Sequence, residues 1–273
     1  MFAKRRREAD LVQDAARLQR ELVEVRVELE SSRAVVRRLR RRVRSLEAEQ
    51  LENLPQHVAD VARAVRAEHL TLLGAGPLAE LARAALEVED ARRPGIVMEC
   101  GTARGGSAIV LAAAKSPDRP LFVHDVFGLI PPPTDRDGDD VHERYATIVA
   151  GRAEGHGGET YYGYRDELYD EVTESFVRQG FPPAASNVHL VRGLFQDTIL
   201  GEEPVALAHL DGDWYESTRT CLERIAPRLV TGGRLVVDDY QAWSGCRSAV
   251  DEYLARDPGL EREMHSRLHL VRR

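Results

Sequence analysis

Short apolar runs alternate with stretches of helical periodicity between residues 96 and 257, and this alternation restricts the chain to few folds. A repeated strand–helix order predicts a parallel sheet with helices on both faces. The predicted class is therefore α/β with a doubly wound, mostly parallel sheet, which residues 261–273 close as a hairpin or edge strand. The predicted strands are Ile96–Cys100, Leu121–Asp125, 187–192, Val205–Leu210 and 234–237, and the predicted helices include 104–115, 215–229 and 246–257.

Two acidic clusters directly follow the fourth and fifth predicted strands. Asp211 and Asp213 come after the fourth strand, and Asp238 and Asp239 come after the fifth. Because the carboxyl ends of parallel strands meet at one edge of a sheet, we expect these side chains to converge there. Converging carboxylates repel one another unless a cation neutralises them, and oxygen ligands suit a hard divalent ion. The alternative is that each aspartate only caps the helix that follows it.

A glycine-rich turn, ECGTARGGS over residues 99–107, follows the first predicted strand. Its glycines let the backbone approach a ligand, although a tight turn alone would use them too. Asp125 ends the second strand about twenty residues later, where a carboxylate can accept hydrogen bonds from ribose hydroxyls. Phe195, after the third strand, offers an apolar contact for adenine. Together these features predict a nucleoside-bearing cofactor, and the sequence has no P-loop for ATP hydrolysis.

Residues 11–50 carry a heptad repeat without any glycine or proline. Sustained 3.5-residue periodicity predicts a coiled coil, and hence a homo-oligomer through this segment. The alternative is a single amphipathic helix that folds back on the rest of the chain. Ten of the twelve positions on the predicted seam are apolar, the full set being Leu11, Ala15, Leu18, Leu22, Val25, Leu29, Ser32, Val36, Leu39, Val43, Leu46 and Gln50.

Charge is spread unevenly along the chain. Residues 1–50 hold 14 basic and 9 acidic residues, which leaves 24 of the 38 basic and 36 of the 45 acidic residues for the remainder. Such an acidic body is a poor match for nucleic acid. The predicted organisation is a coiled-coil helix over 1–54, a helical cap or linker over 55–92, and a catalytic domain over 93–273 with an insertion at about 128–166.

Cysteine usage and hydropathy bear on the cellular location. Cys100, Cys221 and Cys246 lie far apart, without the paired spacing of a zinc site or a disulfide framework. No apolar run approaches the roughly 20 residues that a membrane span needs, and the charged N-terminal segment does not resemble a signal peptide. We therefore expect a cytoplasmic protein.

The motifs resemble those of the macrocin O-methyltransferase family, which comprises class I, Rossmann-like sugar O-methyltransferases that use S-adenosylmethionine (SAM) in macrolide and aminocoumarin biosynthesis. The resemblance covers about residues 95–258 and rests on ECGTARGGSA, HDVFGLIPPP, GLFQDT, LDGDWYES and VVDDY. It implies that Asp211, Asp238 and Asp239 bind magnesium. The predicted cofactor-binding residues are Glu99, Gly101, Thr102, Gly105, Gly106, Ser107, Asp125, Phe195 and Asp197.

The predicted function is magnesium-dependent transfer of a methyl group from SAM to a hydroxyl of a sugar or glycosylated natural product. A divalent ion bound to a diol lowers the pKa of its hydroxyls, and a nearby carboxylate, Asp211 or Asp213, takes the proton. His142 and His156 in the insertion are further candidates for that base. Two alternatives remain: methylation of a catechol or other phenol, and a coiled-coil scaffold with an inactive body.

Overall fold

The computed structural model describes the backbone of residues 2–273 and the side chains of 17–19, 21–43, 45–46 and 49–273. The chain divides into two compact units, one up to Glu49 and one of Gln50–Arg273. Helix α1 (Phe2–Glu52) makes up the first unit, and its last three residues belong to the second. Two predicted seam residues, Leu11 and Ala15, lie outside the described side chains. A helix is confirmed here, while the coiled coil stays a prediction.

The second unit is built on a seven-stranded sheet of order β3-β2-β1-β4-β5-β7-β6. The first five strands are parallel, and the last two form an antiparallel hairpin against β5. This arrangement confirms the predicted doubly wound, mostly parallel sheet. The strands are β1 (Ile96–Cys100), β2 (Leu121–Asp125), β3 (Val188–Arg192), β4 (Val205–Leu210), β5 (Leu229–Val237), β6 (Leu260–Met264) and β7 (Leu268–Arg272).

Helices cover both faces of the sheet, as the strand–helix alternation requires. One apolar core joins α2, α3, α4 and α6 to the sheet, and a second joins α8 and α9 to its other face. No described helix is long and apolar enough to cross a membrane. The helices are α2 (Gln56–Ala67), α3 (Ala75–Asp90), α4 (Gly106–Ala114), α5 (Asp139–Val149), α6 (Leu168–Arg178), α7 (Phe195–Thr198), α8 (Tyr215–Ile225) and α9 (Ser244–Leu254).

The boundary between α8 and β5 differs from the prediction. The helix expected over 215–229 ends at Ile225, and a short 3-10 turn that contains Pro227 leads into the strand. The strand then begins at Leu229, five residues before the expected start. Gly232 and Gly233 lie within β5, where Gly232 has a φ of +72°.

The insertion is an ordered element with a helix of its own. Helix α5 occupies its centre, and Ile148, Ala153 and Tyr161 form a small separate core beside it. Two of its aspartates fasten it to the sheet's helices: Asp137 Oδ1 accepts from Tyr215 N (2.8 Å) at the start of α8, and Asp140 Oδ2 accepts from Ser244 N (2.9 Å) at the start of α9. These two aspartates of the insertion thus cap two helices.

Candidate active site

A cavity of about 350 Å³ opens at the carboxyl ends of β1, β2 and β4, where ligands bind in doubly wound sheets. The glycine-rich turn after β1 forms one part of its wall, the segment Leu194–Gln196 another, and Asp211 and Asp213 a third. The insertion contributes Ile130 and Tyr162. The cavity therefore adjoins both the predicted cofactor side and the predicted metal side.

Gly101 brings the β1 turn against the β4 turn. Its φ is +90°, and a Cβ at this position would lie 1.9 Å from the carbonyl oxygen of Asp211. Only glycine fits this approach, because any side chain would push the two loops apart. Gly101 thus fixes the spacing between the glycine-rich turn and the acidic cluster.

Asp125 organises the glycine-rich turn through its carboxylate. Oδ2 accepts hydrogen bonds from the backbone N–H groups of Thr102 (2.7 Å) and Ala103 (3.3 Å), and Oδ1 accepts one from Phe127 (2.6 Å). Burial raises the pKa of Asp125, and the three N–H groups oppose that rise. The carboxylate therefore shapes the wall of the cavity in addition to lining it.

A buried polar network runs beneath the cavity from the glycine-rich turn to the acidic cluster. Ser107 Oγ donates to Glu99 Oε1, and Glu99 Oε2 lies 3.0 Å from His209 Nδ1. His209 Nε2 lies 3.8 Å from Asp238 Oδ1. Burial disfavours the charged imidazole, but Glu99 and Asp238 outweigh it and raise the pKa of His209 well above its usual value.

The acidic cluster assembles as the strand ends predict. Asp211, Asp213 and Asp239 each offer a carboxylate oxygen, and these atoms lie within 4.8 Å of one another. Burial, and then the charges of Asp238 and Asp239, raise the pKa of Asp211 well above its usual value. Burial and the charge of Asp238 raise the pKa of Asp239 to about 6. Such mutual repulsion is what a bound divalent cation would relieve.

Asp238 lies beside this group and is held differently. Its Oδ1 accepts a hydrogen bond from Nε of Arg267, the residue directly before β7, and faces His209. Although burial opposes it, His209 and Arg267 hold the pKa of Asp238 below its usual value. Two protein cations therefore lower the pKa of Asp238, whereas burial and neighbouring carboxylates raise the pKa of Asp211 and Asp239.

Two tryptophans lie beside Asp213, and one of them, Trp243, bonds to its carboxylate. Asp213 has a φ of +56°, a conformation that non-glycine residues adopt rarely. Its backbone N–H donates to Asp239 Oδ2 (3.0 Å), and its Oδ1 accepts from Trp243 Nε1 (3.0 Å). Trp214, whose ring centroid lies 5.7 Å from that of Trp243, donates from Nε1 to the carbonyl of Pro131 (2.9 Å). The insertion is thereby tied to the acidic cluster.

The other end of the insertion is fastened to the glycine-rich turn through Glu159. Its carboxylate accepts from Arg104 Nη1 (2.7 Å), lies 3.0 Å from His69 Nδ1, and lies 3.8 Å from Arg165. A second cavity of about 40 Å³ lies here and shares Tyr162 with the first. Burial and the neighbouring Tyr161 and Asp213 raise the pKa of Tyr162.

Some of the predicted cofactor residues line the cavity, and others lie beneath it or outside it. Gly101, Thr102, Ser107, Asp125 and Phe195 line the cavity. Glu99 is fully buried beneath it, and Gly105 and Gly106 begin helix α4. Asp197 is exposed, and its neighbour Gln196 lines the cavity. Among the predicted bases, Asp211 and Asp213 line the cavity, whereas His142 and His156 are exposed.

Several residues of the site were not predicted. Thr71 and Leu72, between α2 and α3, line the cavity, and no motif marks them. His209 does have a signal in the sequence, because it is the polar residue of an otherwise apolar strand, VALAHL. Arg267 has no such signal, since it reaches Asp238 only through the pairing of β7 with β5.

Comparison with known proteins identifies the kind of enzyme. The family model for macrocin-O-methyltransferase (TylF) matches residues 18–266. The chain belongs to this family. It is a SAM-dependent O-methyltransferase, which confirms the resemblance seen in the motifs and the predicted SAM cofactor.

Individual relatives agree with this assignment. Demethyldecarbamoylnovobiocin O-methyltransferase of Streptomyces niveus is 31% identical over 196 residues, 68% of this chain and 68% of that protein. An 8-demethyl-8-(2,3-dimethoxy-alpha-L-rhamnosyl)-tetracenomycin-C 4'-O-methyltransferase of Streptomyces olivaceus is 36% identical over 169 residues, 60% of this chain and 59% of that protein. The structure of the O-methyltransferase NovP aligns with a TM-score of 0.62 at 25% identity, covering 74% of this chain and 82% of that chain.

Proposed function

We propose that the chain transfers the methyl group of SAM to a hydroxyl of a sugar or glycosylated natural product, with magnesium held at the acidic cluster. The observation that carries this proposal is the meeting of the glycine-rich turn with Asp211 and Asp213 on one cavity. The name of the Streptomyces olivaceus relative describes methylation of a rhamnosyl compound, which supports a sugar as the acceptor.

The cofactor side is prepared by buried hydrogen bonds. SAM supplies a methyl group already activated on a sulfonium, so the protein has mainly to position it. Asp125 holds the glycine-rich turn in shape, and we assign its remaining acceptor capacity to the ribose. Glu99 contacts both Ser107 and His209 and so links the glycine-rich turn to β4 beneath the cavity.

The acidic cluster fits a hard cation because its donors are carboxylate oxygens within 4.8 Å of one another. Magnesium, when bound, lowers the pKa of hydroxyls that it contacts. Asp211 and Asp239 belong both to the ligand set that the motifs imply and to the group of close carboxylates in the structure. One oxygen of Asp238 is engaged by Arg267 and His209, which leaves the second oxygen as its donor to the ion.

We assign the acceptance of the hydroxyl proton to Asp213. Its side chain lines the cavity, and Trp243 fixes its orientation. Burial and the charge of Asp239 raise the pKa of Asp213, which brings its proton affinity closer to that of a base working near neutral pH.

The proposal divides the site into a cofactor side and a metal side. Titration calorimetry with SAM and with magnesium, combined with turnover assays, tests this division. Asp239→Ala should abolish magnesium-dependent turnover and leave the Kd for SAM within about twofold. Asp135→Ala removes an exposed aspartate of the insertion and serves as the matched control. Equal loss of SAM affinity in Asp239→Ala would show that the acidic cluster belongs to the cofactor site instead.

A panel of acceptors tests the substrate class. Sugar nucleotides, glycosylated natural products and catechols are supplied in parallel with SAM, and methylated products are detected by mass. Methylation of the sugars is expected, and preferential methylation of catechols would replace the sugar assignment by the phenolic one.

Cytoplasmic location and the domain limits at residues 54 and 92 stay predictions, the first supported by three free cysteines.

A further inference from the structure

Helix α1 exposes an apolar seam that Ser32 interrupts. The eight apolar seam residues with described side chains are each between 42% and 60% exposed, namely Leu18, Leu22, Val25, Leu29, Val36, Leu39, Val43 and Leu46. Exposed apolar surface of this kind marks an interaction site, and the 3.5-residue spacing is that of one helix packing along another. The seam therefore needs a helical partner.

Charged residues on the two flanks of the seam indicate what that partner is. Glu21 and Glu28 lie on one flank, and Arg26 and Arg33 lie on the other, each five residues after a glutamate. In two parallel helices in register, residues with this separation face each other across the seam. Glu21 would meet Arg26 of the second copy, and Glu28 would meet its Arg33. All four side chains are exposed, and Glu21 also lies 3.7 Å from Arg17 of its own helix.

The sequence repeats the pattern with reversed sign nearer the end of the helix. Arg42 is followed five residues later by Glu47, whose side chain is outside the described residues. Three facing pairs of positions, 21 with 26, 28 with 33 and 42 with 47, thus carry opposite charges in this one sequence. Complementarity of a chain to itself is what pairing with a second copy requires, whereas a different partner would not need it.

An antiparallel arrangement would bring like charges together. In antiparallel pairs each flank faces the same flank of the other helix, so the flank with Arg26, Arg33 and Arg40, on which Glu47 is the one acidic position, would face itself. Val36 and Val43, each followed three residues later by leucine, add the pattern that favours two strands. We propose that α1 pairs with α1 of a second copy as a parallel, in-register coiled-coil dimer. This assembly is independent of the methyl transfer proposed above.

Charge reversal on the full-length chain tests the partner. Glu21→Arg with Glu28→Arg makes both flanks basic and should weaken self-association at least about tenfold, measured by light scattering and sedimentation. Arg26→Glu with Arg33→Glu should do the same. Mixing the two variants should restore a particle of two chains, because each basic flank then meets an acidic one. Glu24→Arg with Glu30→Arg changes the net charge equally away from the flanks and serves as the control.

Disulfide trapping tests the direction. Leu18→Cys and Val43→Cys should each form a covalent dimer with itself under mild oxidation, since equal positions meet in a parallel pair in register. A wild-type mass of one chain, or a flank variant that associates as tightly as the control, would overturn the dimer. A disulfide that forms between the Leu18→Cys and Val43→Cys chains in preference to either homodimer would overturn the parallel direction.

Discussion

Trp243 Nε1 donates a 3.0 Å hydrogen bond to Asp213 Oδ1, and Asp213 N donates a 3.0 Å bond to Asp239 Oδ2. The carboxylate assigned to the proton is therefore held by an indole, and the backbone of the same residue is held by Asp239. Since Asp213 also has a φ of +56°, its backbone position depends on these bonds.

Asp213→Asn should lower kcat about 100-fold or more while magnesium and SAM still bind. Asparagine tolerates the left-handed conformation and can still accept from Trp243, so the change removes the basic oxygen and little else. Calorimetry with each ligand and single-turnover rates measure the two effects. Loss of magnesium binding in this variant would instead place Asp213 among the metal ligands.

Tyr162→Phe should raise the KM for the acceptor several-fold without changing the Kd for SAM. The Tyr162 side chain lines the cavity, and its ring lies close enough to Asp213 for that charge to raise its pKa. Tyr164→Phe is the matched control, because the Tyr164 hydroxyl donates to the Ile148 carbonyl within the insertion. Equal kinetic effects in both variants would mean that Tyr162 acts only through the folding of the insertion.

Glu159→Gln should loosen the insertion where it meets the glycine-rich turn. Glutamine keeps the shape but loses the charge that Arg104 and His69 contact, so protease cleavage within the insertion should become faster. Glu143→Gln, an exposed glutamate of α5, is the control. Unchanged protection of the insertion in Glu159→Gln would show that this contact does not hold it.

Gly101→Ala should be far more damaging than Gly180→Ala, although both glycines have a φ near +90°. Alanine at Gly180 meets no atom within 4 Å, so it should cost only about 1 kcal/mol of unfolding free energy from backbone strain. Alanine at Gly101 would in addition overlap the Asp211 carbonyl. Urea unfolding of the two variants measures the difference, and similar values would refute the close approach.

His269 should make the protein less stable as the pH falls. It is buried on β7, and burial lowers its pKa to about 4 from an ordinary value of 6.5. The unfolded chain therefore takes up this proton at a higher pH than the folded chain, and the free energy of unfolding falls as pH drops below 6.5.

The loss attributable to His269 is about 2 kcal/mol between pH 6.5 and 5. His269→Leu should remove it, which urea unfolding at both pH values measures relative to wild type. His142→Leu, at an exposed histidine, should leave the pH dependence unchanged. A wild-type slope that persists in His269→Leu would assign the proton uptake to another group.

Local sequence pattern accounts for much of the fold and of the site. Three predicted strands have the bounds found in the structure, because apolar runs such as VALAHL are buried over their whole length. The meeting of Asp211 with Asp239 follows from two parallel neighbours, β4 and β5, that end at the same edge. Sequence adjacency to a strand end was sufficient for that prediction.

Contacts that depend on tertiary pairing were beyond such reasoning. The engagement of Asp238 by Arg267 requires β7 to lie antiparallel to β5, and no local pattern specifies that neighbour. Helix α5 was missed because prolines and glycines flank it, and two aspartates of the insertion accept hydrogen bonds from the first residues of α8 and α9. Tertiary partners decided these cases.

Trp214 and Trp243 are the only two tryptophans of the chain, and both lie beside Asp213. The tryptophan fluorescence of the native protein therefore originates beside Asp213. Binding of a ligand beside Asp213, or release of the insertion from Trp214, should therefore change the tryptophan emission. Ligand binding to the native enzyme can thus be followed without any label or substitution.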